Sequence, residues 1–432
     1  MRTAAALFGF LFLFVATEAG ATQIERVVSP KGIEAWLVQE DTVPLIALSF
    51  AFVGGASQDP AGRPGVANMA SGLLDEGAGE LDSQAFQAAL DDSSIDLSFD
   101  AGYDSFYGSL VTLAENRDQA VKLLKLALTR PRFDKEPVER IRAQVISGIR
   151  GNEHDPETVA GDALMSAAFP DHPYGRPVEG TTDSVAAITV DDLRAFFARN
   201  VAQNNLKIAV VGAIGSADLG RLLDEAFADL PIKADLAPVA ETAPAAAAPP
   251  VDIAMTIPQT IIRFGGKGLK RNDPDFIAAS VATYILGGGG DGSRLYDEVR
   301  VKRGLAYSIA LGLSPFDHAG AYFGGTSTRA DQTGGVVKLV EAEIKRFADE
   351  GPSPEELAKA KSYLIGSYPL RFNTSTKIAS QLLNIQLDNL GIDYVNRRND
   401  LIAALTIDDV KRAAKRLFAD AMIVVRVGQK AS

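Results

Sequence analysis

The sequence predicts an α+β protein built from two duplicated α/β domains. Each is a mainly antiparallel sheet with helices packed on one face, and together they form a half-clamshell. Three observations carry this expectation. Near the middle of the chain, Thr189-Val190-Asp191-Asp192-Leu193 opens a helix that ends before a strand at 206–212 (LKIAVVG). Near the end, Thr406-Ile407-Asp408-Asp409-Val410 opens a helix leading to a strand at 422–428 (MIVVRVG). In both, the Thr caps the first turn and an Asp at the third helical position completes a capping box. The two segments agree in length to about one residue, the mark of an internal duplication. Between them, residues 232–250 (IKADLAPVAETAPAAAAPP) hold few side chains able to build a core. They read as a linker dividing an N-terminal domain, 22–231, from a C-terminal domain, 251–432.

The elements follow in order. Arg2, an apolar stretch at 4–16 and Ala19-Gly20-Ala21 have the layout of a signal peptide over residues 1–21, cleaved after Ala21. The apolar run falls short of the ~20 residues of a membrane span, although an uncleaved anchor is the alternative. Export, to the periplasm of a Gram-negative source, is the expected location. Residues 44–53 (PLIALSFAFV) form a strand closed by Gly54-Gly55. In 64–74 (PGVANMASGLL), Val66, Met69, Ala70, Leu73 and Leu74 make one helical apolar stripe, and Asn68, Ser71 and Gly72 adjoin on the other face. Alternating runs at 94–99 and 104–113 predict an antiparallel pair, followed by long helices at 116–129 and 136–149. The second half repeats the order: strand 260–264, helix 274–286, strands at 307–313 and 321–328.

Composition narrows the functions. With 47% hydrophobic and 23% charged residues in 432, the chain is a folded protein with room for more than one core. A net charge of -12 argues against nucleic acid as a partner. It would suit a basic peptide. The absence of cysteine excludes disulfides and thiolate metal sites.

Landmarks spread along the chain resemble the insulinase or pitrilysin-type zinc peptidase family. In the first half they are Gly54-Gly55-Ala56-Ser57, the helix start Gly65-Val66-Ala67, His172-Pro173-Tyr174-Gly175 and Val210-Val211-Gly212. In the second they are Leu286-Gly287-Gly288-Gly289, Ser293-Arg294-Leu295-Tyr296 and residues 300–308 (RVKRGLAYS). The resemblance implies a helix carrying H-x-x-E-H, where two histidines bind zinc and the glutamate activates water, with a glutamate further on as third ligand. Here Asn68 and Gly72 stand at the histidine positions and Ser71 at the catalytic glutamate. Counting on to the helix before His154-Asp155-Pro156 puts the third ligand at Gly148. Amide, hydroxyl and two bare backbones cannot replace that set, so no metal and no cofactor is expected in this chain. The three histidines, His154, His172 and His318, are scattered, and His154 with Glu153 and Asp155 reads as a solvated cap.

The resemblance also implies an Arg and a Tyr seven positions apart in the half that completes an active site, and Arg300 and Tyr307 match. Gly304 is a good residue to end the helix that carries Arg300, with a strand starting at Leu305. A guanidinium forks onto peptide carbonyls, and a phenol donates to a developing oxyanion. Taken alone, the pair also fits a helix-end cation and an ordinary strand aromatic. Arg294, Lys302 and Arg303 read as solvated charges. Gly287, Gly288 and Gly289 lack the ending of a phosphate loop, and the resemblance places them beside a substrate chamber. The implied role is the non-catalytic subunit of an exported two-subunit metallopeptidase, similar to the alpha-type subunits of the mitochondrial processing peptidase. A homologous zinc-bearing partner would act on peptides or unfolded polypeptides. The alternative is a scaffold with no part in proteolysis, like the core subunits of a respiratory complex. A lone hydrolase using Ser71 lacks a nearby histidine and a nucleophile elbow.

Overall fold

Two sheets, one in each half, repeat the same strand order. The computed structural model describes residues 23–246 and 249–429, so the expected signal peptide lies outside the described residues. The strands of the first half are β1 (Glu25–Val28), β2 (Glu34–Gln39), β3 (Leu45–Val53), β4 (Asp96–Ala101), β5 (Ser105–Leu113) and β6 (Leu206–Gly212). Its helices are α1 (Val66–Ser71), α2 (Ser83–Asp92), α3 (Arg117–Thr129), α4 (Lys135–Asn152), α5 (Pro156–Ala168), α6 (Thr182–Ala187), α7 (Val190–Asn200) and α8 (Ser216–Phe227). The second half contributes β7 (Val251–Ala254), β8 (Thr260–Lys267), β9 (Ala306–Pro315), β10 (Gly320–Thr328) and β11 (Ile423–Gly428). Its helices are α9 (Phe276–Thr283), α10 (Arg294–Tyr296), α11 (Thr333–Glu350), α12 (Pro354–Gly366), α13 (Ser375–Leu387), α14 (Tyr394–Ala404) and α15 (Ile407–Leu417).

The sheet orders are β1-β2-β6-β3-β5-β4 and β7-β11-β8-β10-β9. From β2 and β7 onward they correspond strand for strand, including one parallel pair each, β2 with β6 and β7 with β11. Both expected capping boxes form, Thr189 with Asp192 and Thr406 with Asp409. Two expected helices differ in extent. The helix expected over 64–74 is the six residues of α1, and the one expected over 274–286 becomes α9 plus a π-helical turn, Tyr284–Gly288.

The pattern of β3 shows how the halves combine. Its residues Ile46 to Phe52 are all buried, as in a strand covered on both faces. Leu48, Phe50 and Phe52 enter the core of the first half, with Leu73, Leu124 and Phe196. Ala51 points the other way, joining Trp36, Val38, Ala209 and Val211 against Ala379, Leu382 and Leu383 of α13, a helix of the second half. The exchange is mutual: Ala160, Leu164 and Ala168 of α5 pack on Ile261, Ile423 and Val425 of the second sheet. Each sheet therefore carries its own helices on one face and a helix lent by the other half on the second. A buried bond fastens the junction, Gln386 Nε2 donating to the Ile208 carbonyl at 2.8 Å. Arg263 of β8 pairs with Glu157 of α5.

The Ala/Pro-rich connection is held in place along residues 237–245. Gln58 donates to the Ala237 carbonyl at 3.1 Å and accepts from its N–H at 2.8 Å. Further on, Thr242 N donates to the His318 carbonyl and Ala245 N to the Ala168 carbonyl, both at 2.8 Å. Among the described residues no helix is long and apolar enough to cross a membrane.

Candidate functional site

The helix at the vacated metal positions is anchored by a residue that the sequence reading did not single out. The Asp59 carboxylate accepts from Gly65 N at 2.8 Å and Ala67 N at 2.9 Å, serving the free donors at the start of α1. Asp59 is buried, and burial pushes its carboxyl up to about 6 despite those donors. Gly65 has φ +99, and a Cβ there would stand 2.6 Å from the Glu179 carbonyl oxygen, so only glycine fits. Val66, Ala67, Met69 and Ala70 are fully buried, which fixes the helix in depth and rotation.

On this frame Asn68 and Gly72 are half-buried. Ser71, expected on the open face, is buried instead, its hydroxyl donating to the Asn68 carbonyl at 2.8 Å. That bond turns a short polar side chain back onto its own helix. A Cβ on Gly72 would lie 3.3 Å from Ile141 Cγ2 of α4. Gly148 lies on the same face of α4 two turns further on, with open space around it. None of the four positions presents a metal ligand, and the described residues contain no group of three or more His, Cys, Asp or Glu placed to hold an ion. The site does not fit zinc.

The histidines are less scattered than their spacing implies. His172 and His318 both flank Tyr174, with ring centroids at 4.4 and 6.5 Å, where the two halves meet. Each ring serves the local structure. His172 Nε2 meets the Ala240 carbonyl at 3.0 Å, and His318 Nδ1 meets Glu241 at 3.3 Å. His154 Nδ1 bonds the Arg150 carbonyl at 2.9 Å, a helix-end role.

The second half offers an assembled pair. Arg300 lies in a π-helical turn, Asp297–Val301, that continues α10, and Tyr307 lies near the start of β9. The Arg300 guanidinium lies 4.5 Å from the Tyr307 ring centroid and 4.9 Å from that of Tyr296, and donates to the Tyr296 hydroxyl. Gly304 takes the left-handed conformation, φ +61, that lets the chain turn from helix to strand. Just beyond it the register against β10 shifts: Thr326 faces Ile309 but Thr328 faces Ala306. Tyr307 and Ser308 thus form a β-bulge, a device that re-aims a side chain. Thr326 and Thr328 hydroxyls pin it by donating to the Ser308 and Leu305 carbonyls, each at 2.6 Å. Tyr307 emerges 78% exposed while the nearby Ile309 is buried.

One neighbouring reading changes. Arg294 is not a solvated charge. Its side chain is 15% exposed, it grips Glu356 with Nε at 2.6 Å and a second nitrogen at 2.8 Å, and it covers the Phe347 ring. Lys302 and Arg303 remain more exposed, but both pair with Glu298. The close approach permitted by Gly287 is to strand β9, where a Cβ would meet that of Leu311 at 2.9 Å. Gly288 lies against the Leu311 carbonyl, and Gly289 against the Tyr284 ring.

Comparison with known proteins agrees with this geometry. The model described as Insulinase (Peptidase family M16) matches residues 37–182, and that described as Peptidase M16 inactive domain matches residues 187–364. The non-peptidase homologue YmxG of Helicobacter pylori is 29% identical over 370 residues, 84% of each chain. An uncharacterized zinc protease of Streptomyces coelicolor is 28% identical over 92% of this chain and 88% of its own. Among solved structures, a peptidase M16 inactive domain from Pseudomonas fluorescens superposes with a TM-score of 0.89 at 30% identity, covering 95% of this chain and 98% of that one. The chain belongs to the insulinase (M16) peptidase family, as a member whose metal-site positions carry no ligands.

Proposed function

We propose that this chain is the metal-free subunit of an exported two-subunit peptidase, acting in the periplasm beside a homologous subunit with an intact H-x-x-E-H helix. The observation that carries the reading is the Arg300–Tyr307 pair: stacked, lifted out of the strand by a bulge, and left exposed. A chain that served only as packing material has no need of a phenol held in the open beside a guanidinium.

In this reading the partner provides metal and base, and this chain's residues act on the peptide. Arg300, packed against the rings of Tyr296 and Tyr307, directs its remaining donors at backbone carbonyls of the substrate. The Tyr307 hydroxyl donates to the carbonyl oxygen on which negative charge develops. One such donor typically accounts for ~10²–10³-fold in rate. Arrival outside the cytoplasm would follow removal of residues 1–21.

The test is a peptidase assay of three samples: this chain, a zinc-bearing homologue from the same genome, and their mixture. Turnover by the mixture well above that of either component supports the reading. Cleavage by this chain alone would end it, and a mixture no faster than the homologue would favour the scaffold role.

A further inference from the structure

In the second half, α9, α12 and α14 stand in chain order where α1, α4 and α6 stand around the vacated metal positions of the first. Between them lies a cavity of about 370 Å³, within the ~300–1,000 Å³ range of ligand sites. Part of its lining is apolar, from Ile277 and Val281 of α9, Leu311 of β9 and Ile402 of α14. The lining also includes three arginines, Arg271, Arg371 and Arg398.

The charges in this cavity do not balance. Arg271 pairs with Asp388 at 3.1 Å and donates to the Tyr394 hydroxyl at 2.7 Å. Arg398 donates to the Leu364 carbonyl and to Asn399 Oδ1, both at 3.1 Å, and lies 4.2 Å over the Tyr368 ring. Among the described residues, neither Arg398 nor the exposed Arg371 at the mouth has a carboxylate within 4.0 Å. Three arginines and no acidic residue line the cavity, and one of the three, Arg271, has a carboxylate partner, in a chain whose overall charge is -12. Burial lowers the pKa of Arg398, and the nearby Arg371 and Arg271 lower it further. A half-buried cation without a counter-charge, as Arg398 is, is costly, and a bound anion relieves that cost.

We infer that the cavity bounded by Arg271, Arg371 and Arg398 binds a carboxylate carried on an apolar residue, supplied by the C-terminal end of a peptide. The guanidinium forks match the planar, bidentate geometry of a carboxylate. The apolar part of the lining takes the last side chain, and Leu311 with Gly312 places the cavity beside β9, the edge strand of its sheet. The choice of a peptide as the source rests on the reading of this chain as a peptide-handling subunit. The cavity itself does not involve Arg300 or Tyr307.

The experiment measures binding to the full chain alone, by fluorescence anisotropy, so its outcome is independent of any partner or cleavage. The probes are an N-terminally labelled pentapeptide ending in leucine, with a free carboxylate or as its C-terminal amide. The free acid is expected to bind at least about tenfold more tightly, the scale of a charge-assisted contact. Arg398→Met and Arg371→Met are each expected to erase that preference. Arg371 is exposed and makes no ion pair among the described residues, so its loss leaves folding intact. Equal affinity for acid and amide, or a preference that survives both substitutions, overturns the inference. So does inorganic phosphate binding more tightly than the peptide acid.

Discussion

Replacing Asp59 by asparagine is expected to flatten the pH dependence of this chain's stability. The Asp59 carboxyl titrates at about 6 in the folded chain, against 3.8 as its ordinary value. The folded state therefore holds the proton more tightly than the unfolded state. Stability from this group is present in full below pH 3.8 and is lost as pH rises through about 6. A difference of roughly two pKa units corresponds to about 3 kcal/mol at neutral pH. The asparagine variant has no proton to lose and escapes that cost. It offers only one acceptor oxygen to the N–H groups of Gly65 and Ala67, a loss of ~1–3 kcal/mol. At pH 7.5 the variant therefore equals the wild type or exceeds it by up to about 2 kcal/mol, whereas at pH 4.5, where the wild type bears only about 1 kcal/mol of the cost, the variant is the less stable protein by up to about 2 kcal/mol. Asp59→Ala removes both acceptors and is destabilised at either pH. Urea denaturation of the three proteins at both pH values decides the matter. Parallel pH profiles for the wild type and Asp59→Asn would refute the account of a buried, costly carboxylate anchoring α1.

Other expectations concern the pair and the junction. Tyr307→Phe keeps the ring beside Arg300 but removes the donor, so under the proposed role turnover by the mixed subunits should fall ~10²–10³-fold with little change in KM. Unchanged turnover excludes the hydroxyl from the chemistry. Gln386→Leu leaves the Ile208 carbonyl without its partner across the two halves and should cost ~1–3 kcal/mol in chemical denaturation. Gly287→Ala forces a methyl into Leu311 and should destabilise by ~1–3 kcal/mol, whereas Gly148→Ala fills open space on a helix and should stabilise by ~0.5–1 kcal/mol. A melting temperature that moves the same way in both glycine variants would contradict the packing described around them.

What the sequence disclosed was local. The alternating strands, the capping boxes at Thr189 and Thr406, and the seven-residue spacing of Arg300 and Tyr307 each depend on neighbours within one or two turns. The missing signals depend on residues far apart in the chain. The apolar side of α5, with Ala160, Leu164 and Ala168 on one stripe, announces a buried helix but not that its cover is the other half's sheet. Arg294 looked solvated because its carboxylate partner, Glu356, lies 62 residues away. Arg271 and Arg398 meet only because a turn after β8 and the face of α14 converge. The burial of Ser71 was missed for a different reason. Helical spacing assigned it to the open face, but its hydroxyl finds the nearest carbonyl on its own helix.

The loan of α5 and α13 across the molecule restricts how the protein can open. Bending at residues 232–250 would peel each borrowed helix from the sheet beneath it, exposing Ala51 and Val211 on one side and Ile423 and Val425 on the other. Flexing within the chain is therefore a poor route for admitting a polypeptide. If a mate encloses the cargo with it, the gate lies at the seam between the two proteins, and their rate of parting sets how fast cargo enters and fragments escape.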